Sequence, residues 1–171
     1  MTTKEIIRSQ YQAALEMLAQ AIIQCPQRIW ADPQDKNQFW HIAYHALFYT
    51  HLYLQVSEDE FLPWEKHIKD IHSLGSLPQS PQDEAANRGP YSKDDLLAYV
   101  DFCQQEISAQ VAALNLEAES GFDWIPFNKL ELQFYNIRHL QHHTGELCER
   151  LGARAGIDVR WVGKVHEENE T

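Results

Sequence analysis

The segment FWHIAYHALFYTHLYL, residues 39–54, constrains the fold more than any other part of this chain. Wound as a helix, it is apolar or aromatic on nearly every side. A helix without a polar face usually lies at the centre of a protein, surrounded by other elements. The pattern therefore predicts a buried helix over about 37–56, with further helices packed around it.

Three other segments carry apolar residues at the helical spacing of three and four. One spans residues 3–24. Another begins at Ser92, which forms a capping signature with Asp95. The last runs from about Asn128 to Gly152, where the glycine is in the position of a C-terminal cap. Four long helices predict an all-α fold, a four-helix bundle.

The connection between the second and third helices, residues 57–91, contains four prolines and two glycines. These residues break any long helix, although PWEKHIKDI (63–71) is compatible with a short one. Antiparallel neighbours need a connection of only about 2–8 residues. We therefore expect a long crossover between helices 2 and 3, which would then run parallel.

The length of 171 residues suits one domain with a substantial core. We expect the bundle to occupy residues 1–152. Residues 153–171 carry no clear helical pattern. They are predicted to form a C-terminal tail that packs on the bundle or leaves it.

The net charge of −11, without a basic stripe, argues against nucleic acid and against an anionic membrane surface as partners. No apolar run approaches the roughly 20 residues that a bilayer crossing needs. The start, MTTKEIIRSQ, lacks the apolar core of a signal peptide. The expected location is the cytoplasm.

Three scattered cysteines without a CxxC pair exclude a zinc knuckle and a thioredoxin-type motif.

The second and the last helix each carry a histidine pair with a spacing of four. The pairs are His41 with His45 and His139 with His143. Residues four apart lie on one helix face, so both imidazoles of a pair can reach one ion. Bundle cores build metal sites from facing helices, which favours a metal site here. Four histidines would close the coordination sphere, whereas three would leave a position open for water or substrate.

Two other histidines are predicted to lie outside such a site. His142 points away from His143 and is expected at the solvent-facing rim. His51 is on a different face from His45 and is expected at the surface or in an interface. A third interpretation needs no metal, because the histidines can also serve packing or dimer contacts.

FWHIAYHALFYTHLYL and NKLELQFYNIRHLQHHTGELCERL (128–151) resemble the DinB/YfiT-like superfamily of metal-binding four-helix bundles. The first has a histidine five positions after a tryptophan. The second is similar to the H-x-x-H-H pattern of the family's last helix, with a polar residue and glycine following. The long connection also fits, and the similarity covers nearly the whole chain to about residue 152.

The resemblance implies one metal ligand from helix two and two from the last helix, namely His45, His139 and His143. His41, one turn away, is then not expected to bind the ion. The resemblance also implies zinc or nickel, with manganese or iron compatible with such a bundle. Imidazole ligands suit several of these ions and do not select one. Relatives often pair through bundle faces, and the second helix is apolar all round, so a homodimer is expected.

An ion held by three neutral imidazoles would lower the pKa of a bound water toward about 7. It could equally hold a low-molecular-weight thiol as its thiolate. Some relatives resemble thiol-dependent S-transferases or isomerases, and others amide hydrolases. The expected function is a metal-dependent enzyme of thiol-dependent S-transferase or hydrolase type acting on a small-molecule substrate. The alternative is a non-catalytic metal-binding or stress-response bundle protein.

Glu146 is the candidate catalytic residue. It lies one turn after His143 and close to the face of His139, where it can hydrogen-bond a ligand or a bound water. Its alternative role is a solvated helix residue. Tyr49 and Tyr135 each lie one turn from a ligand histidine. They can donate a phenol hydrogen bond into the site or pack in the core.

Overall fold

The computed structural model describes residues 1–75 and 89–165. Residues 76–88 of the predicted crossover and 166–171 of the predicted tail lie outside this range. The described chain contains five helices: α1 (Thr3–Gln24), α2 (Gln27–Trp30), α3 (Phe39–Leu54), α4 (Lys93–Ala113) and α5 (Lys129–Ala155). Strand-like pairing in these ranges is limited to an isolated bridge between Glu119 and Asn128. The prediction of an all-α chain is confirmed.

Side-chain caps define where the long helices begin. Ser92 accepts the backbone N–H of Asp95 at 3.1 Å, and the Asp95 carboxylate accepts the Ser92 N–H at 3.2 Å. This reciprocal pair satisfies two donors that a helix start leaves without partners. Asn128 caps α5 in a similar way through the N–H of Glu131. The predicted starts of both helices are confirmed.

The predicted end of the last helix is wrong, and the segment compatible with a short helix does not form one. α5 continues through Gly152 to Ala155 and is capped by Gly156, whose φ of 65° is left-handed. The extra turn carries Arg154, which forms ion pairs with Asp32 and Asp35 beyond α2. PWEKHIKDI forms turns rather than a short helix, and Asp70 within it has a φ of 65° that a helix does not tolerate.

α3 is the central element, as its apolar sequence predicts. Of its 16 residues all but His45 and Tyr49 are buried. The two exceptions lie one turn apart on the same face. The apolar surface of α3 is thus covered within one chain, so it gives no support to a homodimer, which stays a prediction.

Hydrogen bonds at both ends of α5 fix its position against α3. Buried Lys129 donates from Nζ to the carbonyl of Gln55 at 2.7 Å, just beyond the end of α3. Arg150 donates to the carbonyl of Asn37 at 2.9 Å, just before α3 begins. The start of one helix therefore lies beside the end of the other, and the two run antiparallel.

α4 covers another side of α3 and runs in the same direction. Contacts advance together along both helices, from Tyr44 and Tyr99 to Gln55 and Glu106. α1 packs against α4 and α5. In the described residues, no helix combines the length and apolar character that a bilayer crossing requires.

Candidate metal centre

Three imidazoles from α3 and α5 come together on one side of the protein. One ligand nitrogen each from His45, His139 and His143 lies within 4.8 Å of the others. The Nε2 atoms of His45 and His139 are 3.1 Å apart. Nitrogens bound at about 2.0–2.1 Å to one tetrahedral ion are separated by roughly 3.3 Å. The donor spacing therefore suits a single ion.

Hydrogen bonds at the Nδ1 atoms orient two of these rings. His45 Nδ1 lies 2.7 Å from the carbonyl oxygen of His72, and His143 Nδ1 lies 3.2 Å from Oε2 of Glu146. A carbonyl and an ionised carboxylate only accept, so Nδ1 carries the proton in both rings. Each Nε2 then has a free lone pair. Metal-binding histidines in proteins typically make this kind of bond through their other nitrogen.

The third ring has a different environment. His139 Nδ1 is buried and has no hydrogen-bond partner among the described residues. Its Nε2 is directed at His45 Nε2, which cannot donate while Nδ1 holds the proton. His139 Nε2 can therefore carry a proton and donate a hydrogen bond to His45 Nε2. Alternatively, the Nε2 lone pairs of both rings can bind one cation. The donor set fits a divalent ion of the kind that imidazole favours.

Burial keeps the three histidines neutral at pH 7. It lowers the pKa of His45 to about 3, although the His72 carbonyl acts in the opposite direction. It lowers the pKa of His139 to about 4. Burial also lowers the pKa of His143, against the opposing effect of Glu146. Neutral imidazole is the form that binds metals.

One side of the cluster is partly exposed, although His143 is buried. His45 and Tyr49 are the partly exposed positions of α3, and His139 is also partly exposed. The Tyr49 ring lies 4.8 Å from the ring of His45 and 5.4 Å from that of His139, between centroids. The Tyr49 ring therefore forms an aromatic wall on the partly exposed side of the cluster.

The turn segment 61–75 is fastened to α3 next to the cluster. His41 Nε2 lies 2.8 Å from the carbonyl oxygen of Ile71, and the Tyr44 hydroxyl is 2.6 Å from His67 Nδ1. Together with the bond from His45 to the His72 carbonyl, these contacts extend over about one turn of α3. His41 is therefore buried under the segment and lies outside the imidazole cluster.

Glu146 lies at the edge of the cluster. Its Oε2 contacts His143 Nδ1, and its Oε1 lies 3.7 Å from Nη2 of Arg150. Arg150 also pairs with Asp35 at 3.1 Å. The carboxylate is thus held between a ring nitrogen and a guanidinium.

The remaining histidine predictions have mixed outcomes. His142 is exposed, as predicted. The prediction for His51 is wrong, because its side chain is buried against Phe61 and Phe102 with Nδ1 3.2 Å from the Tyr99 hydroxyl. α4 and the turn segment cover that face of α3.

His142, His143 and Glu146 form a second group of converging donors, but two of them are at the surface.

Sequence reasoning missed the contribution of residues 61–75. His67 and His72 flank Ile68 and Ile71, which are buried. This mixture of histidine and apolar residues could have indicated that the segment packs on the bundle. The support for His45 comes from a backbone carbonyl, however, and any residue type at position 72 would supply one. Tyr135, a candidate donor, instead packs against Tyr53 and Phe127.

Comparisons of this chain with protein families, curated proteins and solved structures found no match. The interpretation of the histidine cluster therefore depends on its own geometry.

Proposed function

We propose that this chain is a DinB/YfiT-like four-helix bundle that binds one divalent metal ion through His45, His139 and His143. The proposed activity is that of a metal-dependent enzyme, of the thiol-dependent S-transferase or hydrolase type. The observation that supports it most strongly is the convergence of three neutral imidazoles from two helices within 4.8 Å. Zinc or nickel is the proposed ion, and manganese or iron would also suit a bundle of this kind.

The arrangement of the helices supports the bundle part of the proposal. α3 and α5 run antiparallel, whereas contacts between α3 and α4 advance in one direction. Parallel neighbours need a connection that returns along the length of the bundle. Residues 55–92 between them are long enough for that long crossover.

The number of ligands favours chemistry over a purely structural ion. Within the described residues, the group that includes His45 has three members. Three protein ligands are typical of catalytic zinc sites, whereas closed structural sites have four. The ion would supply a positive charge that activates a small-molecule thiol or a water near neutral pH. Glu146 would hold His143 and accept a proton at its exposed carboxylate, and Tyr49 would line the approach.

Metal analysis of the purified protein tests the binding site. We expect about one ion per chain in the wild type and almost none in His45→Ala. His142→Ala is the matched control, because His142 is exposed and belongs only to the second donor group. Full metal content in His45→Ala, or loss of metal in His142→Ala, would overturn the proposed ligand set.

Activity is tested separately with the metal-loaded protein. A low-molecular-weight thiol with an electrophilic acceptor probes S-transfer, and small amides probe hydrolysis. We expect turnover in one assay that disappears in His45→Ala and falls strongly in Glu146→Gln. If the protein binds metal and neither assay gives turnover, the alternative of a non-catalytic metal-binding protein is favoured. Gel filtration of the same sample tests the predicted homodimer.

A further inference from the structure

Arg150 lies on α5 where this helix packs against the connection between α2 and α3, residues 31–38. Its side chain is only 15% exposed. Nη1 donates to the carbonyl of Asn37 at 2.9 Å and to Oδ2 of Asp35 at 3.1 Å. Nη2 lies 3.7 Å from Oε1 of Glu146, one turn earlier on α5. One guanidinium therefore contacts three oxygen atoms that belong to two different parts of the chain.

The contact with Glu146 leads to the ligand set on α5. The two oxygens of this carboxylate have different partners, since Oε2 lies 3.2 Å from His143 Nδ1 and Oε1 faces Arg150. A glutamate side chain on a helix has several rotamers, and only some of them bring the carboxylate to the imidazole. An ion pair at the second oxygen favours the rotamer that accepts the Nδ1 proton of His143.

The contact with Asn37 leads to the ligand on α3. The backbone carbonyl of Asn37 accepts from Arg150, and its side-chain Oδ1 accepts the backbone N–H of Gly75 at 2.9 Å. Gly75 lies in the turn segment, three residues after His72. The His72 carbonyl accepts the Nδ1 proton of His45 at 2.7 Å. Through Asn37, the guanidinium is thus joined to the segment that orients His45.

We propose that Arg150 is a positioning residue of the metal centre, which supports His143 through Glu146 and His45 through Asn37. The inference rests on the proposed function, because it concerns the same three-histidine site. Arg150 touches neither the ligand nitrogens nor the ion, and it acts by holding the acceptors of two ligand rings. Loss of such outer contacts typically lowers metal affinity by about 10–100-fold.

The sign of the effect separates positioning from simple electrostatics. A positive charge near a cation site repels the ion, so loss of an arginine should by itself strengthen metal binding or leave it unchanged. Positioning has the opposite consequence, because the Glu146 carboxylate and the Asn37 carbonyl lose their shared donor. Weaker metal binding after removal of the Arg150 charge is therefore specific to the proposed role.

Competition with a chromophoric chelator gives the zinc affinity of the full-length protein. We expect Arg150→Gln to weaken zinc binding about tenfold. Arg150→Lys restores the charge but not the planar group with several donors, so it should recover only part of the loss. If Arg150→Gln does not fold, Arg150→Lys carries the test, and an affinity equal to that of the wild type would overturn the inference.

The matched control is Arg154→Gln. Arg154 lies one turn further along α5 and pairs with Asp32 and Asp35, so its loss also weakens the hold on residues 31–38. We expect it to change the zinc affinity less than twofold, because the contacts of Arg150 with Glu146 and Asn37 stay in place.

Urea denaturation of the metal-free proteins identifies a merely structural role. Both glutamine variants should lose stability, because each loses an ion pair with Asp35, but only Arg150→Gln should lose zinc affinity. Unchanged zinc affinity in Arg150→Gln, or equal weakening in Arg154→Gln, would overturn the inference and leave the metal site intact. A wild type that binds neither zinc nor nickel would instead overturn the proposed function.

Discussion

The Nε2 atoms of His45 and His139 lie 3.1 Å apart across the contact between α3 and α5. His45 cannot donate in this contact while its Nδ1–H is bonded to the His72 carbonyl. Two lone-pair donors at this distance repel unless a proton or a cation lies between them. An ion bound between them would remove this repulsion.

Zinc or nickel should raise the thermal unfolding temperature. An ion at about one hundred times its dissociation constant stabilises the native state by about 2.7 kcal/mol. For a chain of this size that corresponds to an increase of roughly 5–10 °C. Scanning calorimetry with and without a chelator measures the shift. His139→Ala should show no increase, and an unchanged shift in that variant would argue against these ligands.

Glu146→Gln should weaken metal binding without abolishing it. The variant removes the charged acceptor of the His143 Nδ1 proton, which orients the ring. Loss of such outer contacts typically reduces metal affinity by about 10–100-fold. Competition with a chromophoric chelator measures the affinity. Glu149→Gln removes the same charge one turn of helix away and should leave it nearly unchanged. If both variants bind equally well, Glu146 does not orient the ligand.

Gly121→Ala should strongly destabilise the fold. Gly121 has a φ of 80°, and a Cβ there would lie 2.0 Å from the carbonyl oxygen of Val56. The backbone strain and the clash together should cost about 3 kcal/mol or more. Gly145→Ala is the control, because its Cβ would meet nothing within 4 Å inside α5. That change should stabilise by about 0.5–1 kcal/mol. Urea denaturation compares both variants, and a neutral Gly121→Ala would contradict the packing.

Stability should fall as the pH decreases from about 6.5 to 4, partly because of His51. Burial lowers its pKa to about 4 in the folded protein, whereas an unfolded histidine titrates near 6.5. Between these values the unfolded chain binds a proton that the folded chain does not, which favours unfolding. His51→Gln should reduce this loss in the free energy of unfolding, by at most about 3 kcal/mol near pH 4. Denaturation at several pH values with chelator present measures the free energy of unfolding of the wild type and the variant. If the two fall in parallel as the pH decreases, His51 does not contribute to the decline.

Local signals in the sequence predicted much of the helical framework. The spacing of apolar residues placed α1 at the observed Thr3–Gln24, and the Ser92–Asp95 pair marked the start of α4. Such features depend on neighbours within one turn of helix. Gly156 is also a local signal for the end of α5, but the choice between Gly152 and Gly156 is less local, because Arg154 in the extra turn pairs with Asp32 and Asp35, more than a hundred residues away. Nothing near Gly152 signals that contact.

The histidine cluster shows the same division. Spacing placed His139 and His143 on one face of a helix, and both lie in the cluster. Spacing alone could not choose between His41 and His45, because the choice depends on which one the turn segment covers. The burial of His51 also depends on what packs over α3. These distinctions arise from tertiary contacts that no local pattern records.

The separation of His45 from the α5 histidines along the chain has a consequence for biosynthesis. A nascent chain that has left the ribosome only as far as α4 contains one of the three clustered imidazoles. The other two emerge in α5, 94 and 98 positions later. An ion that requires all three can be captured only after α5 has left the ribosome, so metal loading would mark chains in which both helices of the site are present.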